Sequence, residues 1–117
     1  MTYRQGADER AGPNAPIEVA IGVASDSQFY ADLSGRVLGV FASTFLVLAR
    51  DTPVQLVVSL TTGATFLAWG AVQFVRSAGD EQLPGLGVAF TKVDARDLEA
   101  VGAFCQQLRA PMLFDEG

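Results

Sequence analysis

The stretch "ATFLAWGAVQFVRS", residues 64–77, decides the fold. At period two it sets Phe66, Ala68, Gly70, Val72 and Phe74 on one face and Leu67, Trp69 and Val75 on the other. A strand apolar on both faces has to be covered twice, by a barrel interior on one side and by a helix or a partner on the other. Gly70 stands where a bend or bulge would help such a strand close.

The neighbouring segments extend the same architecture. Before it, "VQLVVSL" (54–60) turns Val54, Leu56, Val58 and Leu60 one way, and "TTG" (61–63) supplies a tight connection. Pro53 has no N–H to give a central ladder position, so the strand starts after it. "IEVAIGVA" (17–24) alternates Ile17, Val19, Ile21 and Val23 against Glu18, Ala20 and Gly22, residues 37–44 form another strand, and "LGVAFTKV" (86–93) is the last, with Leu86, Val88 and Phe90 inward. "SDSQFYADLSG" (25–35) and "SAGDEQLPG" (77–85) read as loops. Asp94 then stands as an N-cap, with Asp97 in the first turn, and Leu98, Val101, Phe104, Cys105 and Leu108 recur at helical spacing until Pro111 ends the helix. The tail "PMLFDEG" either packs back on the barrel or reaches another chain. The predicted fold is mainly β (α+β), a small antiparallel six-stranded barrel with a C-terminal helix over residues 17–117, preceded by a flexible polar arm, residues 1–16.

Composition narrows the chemistry. The 117 residues carry a net charge of -5 and are 50% hydrophobic, which suits one core and not a nucleic-acid backbone. With one cysteine and no histidine, the chain has no intrachain disulfide, no Cys/His zinc set and no Ser-His-Asp or Cys-His pair. Asp94, Asp97 and Glu99 cluster in the first helical turn, where the helix dipole already accounts for them, and Cys105 on the apolar stripe reads as a small buried hydrophobe. An enzyme is not expected. Charges at the N-terminus argue against a signal peptide, and the apolar run 37–49 is too short for a span, so a cytoplasmic protein without membrane insertion is expected.

The order of elements, with "FYADLSGRVLGVFAST" (29–44), "GAVQFVR" (70–76), "PGLGVAFTKVDARDLEAVGAF" (84–104) and the tail "RAPMLFDE", resembles the PilZ domain over about residues 9–116. PilZ domains are small bacterial β-barrels known for binding cyclic di-GMP, and this chain is most similar to the branch common in deltaproteobacteria. The resemblance implies two ligand motifs: Arg-x-x-x-Arg on the arm, whose guanidinium forks would hold phosphates, and Asp/Asn-x-Ser-x-x-Gly at the start of a strand.

Both motifs depart from the family pattern. Arg10 matches the first arginine, but the second position is Asn14, short and neutral, with Arg4 as the substitute on the arm. Read literally, Asp32 and Ser34 supply the acid and hydroxyl, but Val37 stands at the glycine position, where a branched side chain resists positive φ. Anchored on Gly39, the register favoured because "GVFAST" continues in step, the motif has Ser34 at the acid position and Arg36 at the serine position. Asp32 would then lie roughly 7 Å too early along an extended chain, and a two-residue bulge would be needed to restore the pocket. The ligand residues, where binding is retained, are Arg4, Arg10, Asn14, Asp32, Ser34, Arg36 and Gly39. The competing reading of Asp32 and Ser34 is a polar turn that begins a strand.

Trp69 with Leu67 is read as packing beneath the C-terminal helix, with a protein-partner patch as the alternative. The functional expectation is a non-enzymatic regulator or adaptor in cyclic di-GMP-linked signalling, such as motility, acting through a protein partner with nucleotide capture weakened or lost and no bound cofactor. The alternatives are a cyclic di-GMP receptor with a rearranged site and a self-associating scaffold or homodimer.

Overall fold

In the computed structural model, which describes residues 16–79 and 82–114, seven strands and one helix follow in order. They are β1 Ile17–Ile21, β2 Gln28–Ala31, β3 Val37–Ser43, β4 Pro53–Leu60, β5 Thr65–Arg76, β6 Gly85–Lys92, α1 Ala95–Gln107 and β7 Met112–Leu113. The strands form one mixed, strongly curled half-barrel sheet in the order β1-β4-β5-β6-β3-β2-β7. β1 runs parallel to β4 and β7 parallel to β2, while the remaining neighbours are antiparallel.

The alternation in β4 works as read, with Val54, Leu56, Val58 and Leu60 buried, but the strand begins at Pro53 and not after it: the missing N–H is tolerated at the first position, opposite Ala71. Phe66, Ala68 and Val72 of β5, Val40 and Ala42 of β3, and Leu86 and Val88 of β6 line the same core. Each large side chain so buried contributes about 1.5–3 kcal/mol relative to exposure. Helix α1 covers this interior with Val101 and Phe104, whose ring meets Phe29 edge-on at 6.0 Å. Asp94 is the N-cap residue by position, and its carbonyl, not its side chain, accepts from Asp97 and Leu98.

Two bulges bend β5 against β6. Thr91 is the extra residue between the pairs Trp69↔Lys92 and Gly70↔Phe90, and Gln73 is the extra residue between Val72↔Val88 and Phe74↔Gly87. The second bulge changes which face the following residue occupies. Phe74 therefore leaves the face of Val72 and joins a separate aromatic cluster on the other side, with Tyr30 at 5.3 Å, Phe114 at 4.9 Å and Phe41 at 6.3 Å.

Several expectations are corrected. The sheet has seven strands of mixed direction, not six antiparallel ones, and it is an open half-barrel with β1 and β7 at its ends. The segment read as a loop, 25–35, contains β2, whose Phe29, Tyr30 and Ala31 are all buried. The last strand follows the helix: β7 pairs with β2, and the N–H of Phe114 donates to the carbonyl of Ala31, so the described part of the tail packs back on the sheet. Leu98 and Leu108, assigned to the apolar stripe, are exposed. Trp69 and Leu67 do not lie beneath α1, because α1 covers the opposite face; they are 41% and 47% exposed. Cys105 is half-buried against the core, and that burial raises its thiol pKa. No helix among the described residues is long and apolar enough to cross a membrane.

Candidate functional site

The motif residues Asp32, Ser34 and Arg36 come together in the turn that joins β2 to β3. The N–H of Gly35 donates to the carbonyl of Asp32, and the N–H of Asp32 to the carbonyl of Arg36, both at 3.0 Å. Gly35 takes φ 91°, a left-handed conformation that glycine adopts without a Cβ clash. Oδ1 of Asp32 accepts three further bonds, from the Ser34 hydroxyl at 2.7 Å, the Ser34 N–H at 2.9 Å and the Arg36 N–H at 3.0 Å. This is the polar turn of the competing reading, with one carboxylate oxygen organising the loop.

Electrostatics agree with that role. The Ser34 hydroxyl, with the Arg36 N–H after it, holds the Asp32 carboxyl below its ordinary value of 3.8. A depressed carboxyl contributes stability above its unfolded pKa and loses it as the pH falls through the folded one. Asp32→Ala is therefore expected to lower the melting temperature by a constant amount from neutral pH down to about pH 5, with the difference from wild type shrinking below about pH 4. Melting curves of both proteins across that range check it; a difference that grows on acidification contradicts it.

Gly39 lies elsewhere. It is buried in the middle of β3, opposite Tyr30 of β2 and Ala89 of β6, and a Cβ there would overlap the Val88 carbonyl oxygen. One extra residue, Leu38, bulges between the pairs Ala31↔Val37 and Tyr30↔Gly39. Asp32 to Arg36 fold into a turn instead of continuing an extended chain, and the one bulge between β2 and β3 adds a single residue, short of the two that an intact pocket would need. Arg4, Arg10 and Asn14 lie outside the described residues.

Arg36 faces a cleft of about 760 Å³ between the start of β3, the end of β6 and α1. Lys92, Gln73, Phe90 and Leu98 also line it, and no acid among the described residues does. Gln73 is engaged beneath it, its Oε1 accepting from the buried Tyr30 hydroxyl at 2.7 Å. On the outer face of the sheet, Trp69 and Leu67 stand beside Gln55 and Val57 of β4, and the Lys92 ammonium lies 5.7 Å from the Trp69 ring.

A second arginine pair was not foreseen. Nη1 of Arg109 donates to the carbonyls of Gly22 at 2.9 Å and Ser25 at 2.8 Å and to the Ser25 hydroxyl at 3.2 Å, pinning the β1–β2 loop to the end of the helix. Arg76 stacks on Phe41 at 4.1 Å. Both line a cleft of about 530 Å³ beside Asp26 and Gln28. Arg109 is spent on the loop, so Arg109→Ala is expected to cost about 2 kcal/mol, read in urea unfolding, through charge-assisted bonds and carbonyls left unpaired.

Among the described residues, no group of three His, Cys, Asp or Glu side chains is placed to hold a metal ion. No protein-family model matches the chain, and no curated protein matches it.

Proposed function

We propose that the chain is a PilZ-like, non-enzymatic regulatory or adaptor domain that works in the cytoplasm through protein contacts, with nucleotide capture weakened or lost. The observation that carries this reading is the Asp32 carboxylate, whose Oδ1 is occupied by three donors of its own turn. An acid needed for a guanine edge has to present its acceptors outward; here one oxygen is committed to holding Ser34 and Arg36 in place. The buried Gly39, set among neighbouring strands, supports the same conclusion. Trp69 and Leu67, uncovered on the outer face, are the protein-contact surface, an aromatic anchor beside an aliphatic one.

Calorimetric titration with cyclic di-GMP at near-physiological salt tests the reading. No heat of binding is expected up to several hundred micromolar, whereas a dissociation constant in the low micromolar range or below overturns it. The cleft that joins Arg36 to Lys92, with no acid among its described residues, favours a second reading, a receptor with a rearranged site. Under that reading the titration shows binding that Arg36→Ala abolishes.

A further inference from the structure

The apolar segment between β3 and β4 has the character of an unpaired strand. In Phe45-Leu46-Val47-Leu48-Ala49, Phe45 is 81% exposed and Val47 82%, and Ala49 is exposed with them. Leu46 is less exposed and Leu48 packs against the core, so exposure alternates as it does along a strand laid over a surface. Leu46 donates its N–H to the Thr44 hydroxyl, while among the described residues no hydrogen bond engages the N–H of Phe45, Val47 or Ala49. The segment carries none of the devices that blunt an open strand: no proline, no glycine and no charge before Arg50.

We propose that this segment pairs antiparallel with the same segment of a second copy of the chain, about a twofold axis through Val47. This interface is separate from the Trp69 surface and stands independently of the proposed function. In this register Val47 faces Val47, and bulky Phe45 faces small Ala49 of the second copy. The hydrogen-bonded positions are 45, 47 and 49, whose N–H groups are free among the described residues, the Ala49 carbonyl also accepting from the Thr52 N–H at 3.3 Å, while position 46, whose N–H is taken, falls at a non-hydrogen-bonded position. The five paired residues carry no charge, so no like charges meet across the axis. The match is one of the segment with itself, side chain and backbone together. A lipid surface would cover the side chains but leave the three N–H groups without acceptors, and an anionic bilayer would repel a chain of charge -5.

A pairing of about five residues falls short of the area of a permanent dimer, so the assembly is concentration-dependent. Sedimentation equilibrium of the full chain up to about 300 µM measures it. Val47→Lys and Val47→Glu each put like charges face to face across the axis and are expected to weaken self-association at least about tenfold. Their melting curves should match wild type, because the side chain is exposed. An equimolar mixture of the two variants should restore the dimer as a heterodimer, visible by native mass spectrometry. A wild type that stays monomeric throughout, a dimer that survives in both variants, a mixture that does not recover, or monomers that sediment with vesicles instead each overturn the proposal.

Discussion

Gly39→Ala is expected to destabilise the protein by about 3 kcal/mol, among the largest effects of any single methyl group added to it. The Cβ would overlap the Val88 carbonyl oxygen and come within 2.8 Å of the Ala89 Cα and the Val88 carbonyl carbon. All three are backbone atoms of the adjacent strand, so no rotamer change relieves the contact and β3 has to move away from β6. Those two strands join the halves of the sheet, since β6 leads to β5 and β4 and β3 leads to β2 and β7. Overpacking of flexible side chains costs about 1–3 kcal/mol, and a clash with backbone belongs at the upper end. Against about 5–15 kcal/mol for a typical domain this is a large fraction. Urea unfolding should show a lower midpoint with an unchanged slope. A glycine kept only for a ligand's approach would give an alanine variant as stable as wild type and altered in binding alone. That outcome would return Gly39 to the ligand site.

What the sequence made legible, and what it hid, follows from how burial writes itself into a pattern. β4 was readable because one of its faces is buried and the other half-exposed, so Val54, Leu56, Val58 and Leu60 stand out at period two. β2 was not: Phe29, Tyr30 and Ala31 are buried in succession, which erases the alternation, and the polar residues on both sides look like a loop. Periodicity is blind to strand direction, so the parallel pairings of β1 with β4 and β7 with β2 could not be read from it. The apolar outer face of β5 was visible as a pattern, but the side on which α1 would lie was not. At the site, the Asp32–Ser34 turn was legible because its bonds are local, spanning two to four residues. The Arg109 clamp left no signal, because its acceptors are mainly backbone carbonyls 82–87 residues away, which any residue type supplies.

Phe74 offers the sharpest test of the bulge at Gln73, and Phe74→Ala is expected to cost about 3 kcal/mol. The ring lies 5.3 Å from Tyr30, 6.3 Å from Phe41 and 4.9 Å from Phe114, to which it is stacked at 12°. Beneath it is Gly87, where any Cβ would strike the ring, so the space left by truncation has no side chain below to fill it. Phe74 is half-buried, which places the cost at the lower end of the range for a buried phenylalanine. The neighbour that feels the loss separates the two faces. In the aromatic cluster Phe74 shares its binding energy with Phe114, whose residue pair ties the tail behind β7 to the sheet. A double-mutant cycle of Phe74→Ala with Phe114→Ala is then expected to show a coupling of about 1 kcal/mol. On the face that strict alternation assigns, Phe74 would stand with Val72 in the main core, on the other side of the sheet from Phe114. Additive losses in the cycle would mean that face is the right one, and that the bulge does not turn the strand.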